Sequence, residues 1–294
     1  MSDAENLRQS AYRYSPLRDL MGQIALHLDA SGIERAVYES RLLVSVALGW
    51  SAEKVWLEED KIVGGLEYDS IMRVVQRRLA REPVAYLAET KEFWSMEYVV
   101  GAGCLIPRPD SECVVEMALD LLPPDNSDVA VLDLGTGSGC LLLSTLSERP
   151  QVWGLGTDIS LTALGYAKRN ASKFHLGDRT TFVQSNWGIC LNYQFGLILC
   201  NPPYLSNIEL EKLMVDVAFY EPELALKGGP DGLEYYRKIA SQLPQLLADG
   251  GRICLEIGLG QGAQVKEIFQ QFGFVQCDGR QDLSGIDRCL VFGR

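Results

Sequence analysis

From Val129 onward, short apolar runs alternate with helix-like stretches, and no other feature limits the fold of this chain as tightly. The runs occupy residues 129–134, 152–158, 180–184, 195–200, 252–257, 273–277 and 288–292. Parallel neighbours need long crossover connections, usually helical, so this alternation predicts a mostly parallel sheet with helices on its faces. The link between the last two runs is too short for a crossover helix, so the last strand is expected to run antiparallel. The expected fold class is therefore α/β with seven strands.

The first ninety residues carry a different pattern. Leu17, Leu20, Met21, Ile24 and Leu28 make an amphipathic helical stripe, with Pro16 suited to its start and Gly32 to its stop. A second helix is expected over 34–48. A third carries Ile71, Val74, Val75 and Leu79 after the break at Gly64-Gly65, and ends before Pro83. Phe93, Trp94, Tyr98, Val99 and Val100 are strand formers, and Gly101 and Gly103 mark a turn, which predicts a β-hairpin. Three parts follow: a small helical domain over 1–88, a hairpin linker over 89–109, and a catalytic domain over 110–294.

Lys plus Arg number 27 against 39 Asp plus Glu, a formal net charge of −12. Such a chain repels a phosphate backbone, which counts against direct nucleic-acid binding. The eight cysteines include no C-x-x-C pair and sit mostly in apolar runs, so they read as reduced core thiols, with no metal site. The start lacks a basic, apolar leader, and no window approaches a membrane span. A cytoplasmic location is expected.

The run ending at Leu134 enters Gly135-Thr136-Gly137-Ser138-Gly139 and then an apolar helix from Cys140. Glycines there let backbone approach a ligand at a helix N-terminus. Cys140 spoils the dinucleotide spacing G-x-G-x-x-G. Asp158 ends the next run, where a carboxylate can accept from both hydroxyls of a ribose, or instead cap the helix starting near Ser160. A cofactor with ribose but no pyrophosphate suits both features, and S-adenosylmethionine is one.

The run 195–200 ends at Asn201-Pro202-Pro203-Tyr204, on the same rim of the sheet. A delocalised nitrogen is a poor nucleophile, so its methylation depends on positioning and on stabilising the charge it develops. The Asn201 oxygen can accept one N–H of a planar NH₂, and the Pro202 carbonyl, its direction set by the Pro-Pro pair, can accept the other. Tyr204 offers a flat face for stacking. A plain strand-ending turn is the alternative, since Asn-Pro marks turns in any case.

Together, Leu132 to Gly139 and Asn201 to Tyr204 resemble class I (Rossmann-like) methyltransferases acting on amide or exocyclic nitrogens. Glu82-Pro83-Val84-Ala85-Tyr86-Leu87, Ile106-Pro107-Arg108-Pro109-Asp110-Ser111-Glu112, Glu221-Pro222 and Gly228-Gly229-Pro230-Asp231-Gly232 narrow the likeness to the peptide chain release factor glutamine N5-methyltransferases. That resemblance implies S-adenosylmethionine as methyl donor, with Gly135 to Gly139 cradling its methionine part, Asp158 on the ribose and Trp187 on the adenine. It implies a Gly-Gly-Gln glutamine of a release factor as substrate, gripped by Asn201 through Tyr204. Arg108 stands as a substrate-loop residue or a plain surface charge, and Trp187 alternatively as a core aromatic. The related ribosomal-protein glutamine methyltransferases depart from the Ile106–Glu112 pattern. An adenine-N6 methyltransferase shares the Asn-Pro-Pro-Tyr chemistry but needs a basic track, for which Arg77, Arg78, Arg81 and Lys91 are the only cluster. Asn186 stands where many members carry an acid.

Overall fold

The computed structural model describes residues 13–122, 129–282 and 285–294. It divides into two units, split between Glu89 and Thr90.

The first unit is helical: α1 (Leu17–Ala30), α2 (Ala36–Leu48), α3 (Ala52–Leu57), α4 (Gly65–Leu79) and α5 (Val84–Ala88). The predicted stripe of α1 is its buried face, and Leu17, Ile24 and Leu28 pack with Leu43, Val44, Ile71 and Val75. Burying each such side chain stabilises the unit by about 1.5–3 kcal/mol. Helix α2 starts at Ala36, later than expected, because Arg35 takes a left-handed φ of 55° and Glu34 stays outside. Helices α3 and α5 were not foreseen; at 6 and 5 residues they are too short to show a period.

The second unit opens with the hairpin β1 (Thr90–Phe93) and β2 (Met96–Val99). Its turn falls on Trp94-Ser95, not on the glycines. Both residues have positive φ, 53° and 54°, the geometry that matches a two-residue turn to the twist of its strands. Trp94 is therefore a turn residue rather than a strand residue, and Gly101 to Gly103 form a separate turn closed by Cys104 N–H to the Gly101 carbonyl at 3.1 Å.

The sheet follows, with α6 (Glu112–Leu121), β3 (Ala130–Leu134), α7 (Cys140–Glu148), β4 (Trp153–Asp158), α8 (Leu161–Lys173), β5 (Thr180–Gln184) and β6 (Phe195–Cys200). Next come α9 (Asn207–Leu210), α10 (Val215–Tyr220), α11 (Glu234–Leu246), β7 (Leu247–Glu256), α12 (Gly262–Gln271), β8 (Val275–Gln281) and β9 (Asp287–Gly293). The seven strands are ordered β8-β9-β7-β6-β3-β4-β5. Only β9 is antiparallel to its neighbours, as the short final link requires, and it inserts between β7 and β8. Strand β7 begins at Leu247 rather than Arg252, and β8 begins at Val275 because Gly273 turns the chain at φ 82°.

Strand β3 is buried along its whole length, as a central parallel strand covered on both faces must be. Chain progression runs from β3 outward through β4 and β5, then returns to β6 on the other side of β3. This reversal is the switch point at which open α/β sheets leave a crevice at the carboxyl ends of their strands.

Candidate active site

Leu134 pairs with Cys200 across β3 and β6, so Gly135 and Asn201 leave adjacent strand tips side by side. Both line one cleft of about 290 Å³, near the lower end of the range for small-molecule sites. Its wall also includes Arg108, Thr136, Gly137, Ser138, Asp158, Trp187 and Pro203. Three of the residues singled out from sequence lie off that wall: Gly139, Pro202 and Tyr204.

The glycine loop is tied to the neighbouring strand. Gly135 and Thr136 N–H both donate to the Thr157 carbonyl at 2.8 Å. Gly135, Gly137 and Gly139 all have positive φ, and a Cβ on Gly135 would sit 3.3 Å from the Trp187 ring. At Gly139 a Cβ would reach Leu143 at 3.0 Å, so this glycine serves close packing at the start of α7. Trp187 itself adopts φ 60°, and its ring lies 5.2 Å from that of Tyr235, a further wall residue.

Asp158 accepts from Gly137 N–H at 2.9 Å on one oxygen and from Ser160 N–H at 2.8 Å on the other. Burial pushes its carboxyl up, and these backbone donors hold it back. The helix-capping alternative is thus present in part, although the N-cap of α8 is the Ser160 side chain. Each Asp158 oxygen keeps a second lone pair for a ribose hydroxyl. A wall of Trp187, Tyr235, Leu141 and Ala163 suits adenine, and Ser185 Oγ is buried there with no hydrogen-bond partner among the described residues. These residues fit a nucleoside cofactor.

On the reaction side, the Asn201 Nδ2 donates to Ser111 Oγ at 3.1 Å, which leaves Oδ1 as the outward acceptor. Tyr204 turns away from the cleft: its hydroxyl donates to Glu256 Oε1 at 3.4 Å, and its carbonyl accepts from Gln261 Nε2 at 3.0 Å. Arg108 is paired with the buried carboxylate of Glu221, whose other oxygen accepts Ile106 N–H at 3.0 Å. This pair pins the Ile106-Pro107-Arg108 segment beside the cleft and engages the charge of Arg108.

Several supports had no readable signal. Asn170, fully buried on α8, donates to the carbonyls of Ser138 and Val99 and accepts from Val99 N–H, joining the glycine loop to the hairpin. Gln261 also accepts from Gly258 N–H and the Tyr236 hydroxyl. Buried Asp133 accepts from Thr136 Oγ1 at 2.6 Å beneath the loop. Among the described residues, no group of three or more side chains is arranged to hold a metal ion. No helix among them is long and apolar enough to cross a membrane.

Two family models match the chain: the PrmC N-terminal domain over residues 19–88, and the methyltransferase small domain over 115–229. A release factor glutamine methyltransferase of Rhodospirillum rubrum is 38% identical over 275 residues, covering 94% of this chain and 84% of the relative. One from Geobacter sulfurreducens is 38% identical over 268 residues, covering 91% and 93%. Among solved structures, a methyltransferase from Pyrococcus furiosus matches with TM-score 0.53 at 19% identity, over 74% of this chain and 98% of that one, a likeness of fold alone.

Proposed function

Since the chain belongs to the release factor glutamine methyltransferases, we propose that its cleft carries methyl transfer from S-adenosylmethionine to the side-chain amide nitrogen of a release-factor glutamine. The Leu134–Cys200 pairing carries this reading, because it sets the glycine loop and Asn201 against one cleft. When bound, S-adenosylmethionine supplies an electrophilic methyl group.

The residues divide the work. Asp158 takes the ribose hydroxyls, Trp187 and Tyr235 the adenine, and Gly135 to Ser138 the methionine part. Asn201 Oδ1 accepts one N–H of the substrate amide, and the Pro202 carbonyl, next in the chain though Pro202 itself lies off the cleft wall, is assigned the other. Holding that amide in one orientation removes much of the entropic part of the barrier, for which positioning can supply roughly 7–11 kcal/mol. The two acceptors also favour the positive charge that grows on nitrogen as the N–C bond forms. Tyr204 acts as an anchor of the turn rather than a stacking face, because its ring is held toward Glu256.

The helical unit is assigned to docking the partner protein. A net charge of −12 opposes a phosphate backbone, so nucleic acid is not assigned as a substrate. A translation protein as substrate puts the reaction in the cytoplasm. The test is transfer of a labelled methyl group to purified release factor beside tRNA and duplex DNA. Label in the release factor alone is expected; label in nucleic acid alone refutes the proposal.

A further inference from the structure

Glu256 ends β7, is 2% exposed and forms no part of the cleft wall, yet two routes lead from it toward the reaction-side turn. The direct route is the Tyr204 hydroxyl on Oε1. The second runs through Ser111. That hydroxyl accepts from Asn201 Nδ2, so its single proton must go elsewhere. Glu256 Oε2 is buried with no hydrogen-bond partner among the described residues, and the Ser111 hydroxyl is first among the groups that favour its charged form, so Oε2 is the acceptor we assign to that proton.

The chemistry of this chain of groups has a direction. An ionised carboxylate only accepts, so Ser111 must donate to it and accept from Asn201. Asn201 then turns its NH₂ inward and its oxygen to the cleft. Left to itself an asparagine carboxamide has no such preference, since its oxygen and nitrogen are nearly the same size. Flipped, it would present a donor to a substrate NH₂, which also donates.

We propose that Glu256 is a positioning residue for methyl transfer: as a pure acceptor it orients Ser111, and through Ser111 it presents Asn201 Oδ1 to the substrate amide. This rests on the role given to Asn201 above. Burial pushes the Glu256 carboxyl up to about 7, against the pull of the Ser111 hydroxyl and the Arg288 guanidinium, while Asp110 adds to the rise. The other titratable groups affected by Glu256 are Tyr204, Tyr236 and the thiols of Cys113, Cys140, Cys200 and Cys289, which burial or close contact keeps neutral. Protonated, Glu256 becomes a donor and the direction is lost. Turnover therefore falls as pH drops through about 7.

The test measures kcat, KM for release factor and cofactor Kd across this pH range for the full chain. The variants are Glu256→Gln, Ser111→Ala, their double and Asn201→Ala. A glutamine can offer either donor or acceptor. Losing one charge-assisted hydrogen bond predicts a kcat roughly 10- to 100-fold lower, with KM and Kd within about 3-fold and the acid limb gone. Ser111→Ala should do the same, and the double variant no worse. Wild-type kcat and acid limb in Glu256→Gln, or losses that multiply in the double, would overturn the proposal. Should Glu256→Gln fail to bind cofactor, the acid limb of Ser111→Ala decides: its disappearance supports the relay, its persistence refutes it. Full activity in Asn201→Ala refutes instead the reading of Asn201 on which this one stands.

Discussion

The tips of β3 and β6 are neighbours in the sheet, yet they are built in opposite ways. At the β3 tip the cleft-facing groups are mainly backbone: Gly135 and Gly137, both at positive φ, on a loop stitched to Thr157, with Asp158 arriving from the adjoining strand. At the β6 tip the ligand-facing group is a side chain, Asn201, steadied by residues from elsewhere in the chain. Ser111 comes from the turn before α6 and Gln261 from the start of α12, while Glu256 ends β7. A cofactor common to many reactions can be held by a local motif. Aiming one amide at a methyl group needs a particular oxygen in a particular direction, and that takes a network.

If the two tips are separable in this way, variants should damage one function and spare the other. The largest effect is expected from Asn201→Ala, with kcat lower by roughly 100-fold, as for loss of one preorganised polar group in other active sites. Calorimetry should find cofactor affinity within about 3-fold of wild type. Equal loss of both would show that the tips are not independent. Asp158→Ala should produce the mirror image, a cofactor Kd raised roughly 10- to 100-fold through loss of charge-assisted hydrogen bonds, with kcat little changed at saturation. Gln261→Ala sharpens the comparison differently. It strands the Tyr204 carbonyl and Gly258 N–H, so denaturant unfolding should show a loss of about 1–3 kcal/mol, with cofactor affinity preserved.

The smallest effect concerns Asp133, under the glycine loop. Burial pushes its carboxyl from 3.8 up to about 7, with Thr136 pulling the other way. The folded protein therefore holds a proton that the unfolded chain has released. Its contribution to stability is present in full below about 3.8 and is lost as pH rises through about 7. Asp133→Asn should flatten the fall in melting temperature across that window; an unchanged slope would show that another group sets it.

The same contrast explains what could be read in advance. The alternation of strands and helices, the glycine loop, Asp158 and Asn201-Pro202-Pro203-Tyr204 are all local patterns, and they stood out as such. Tyr204 pointed elsewhere than expected because its direction is set by Glu256 and Gln261, 52 and 57 residues away. Glu221 was visible only as part of a motif; its contact with Arg108 spans 113 residues. Asn170 carries no motif, and its three hydrogen bonds exist only once the hairpin and α8 have met. The hairpin turn on Trp94-Ser95 was missed because neither residue is a usual one for positive φ, and the nearby glycines drew the turn downstream.

Whether the β6 tip grips a carboxamide is tested most directly by fragment-level mass mapping of a release factor after reaction with the enzyme and isotopically labelled S-adenosylmethionine. One labelled methyl on the side-chain nitrogen of the Gly-Gly-Gln glutamine is the expected product, absent when that glutamine is replaced by glutamate. Label on a carboxylate or an amine, or label that survives the replacement, would contradict it.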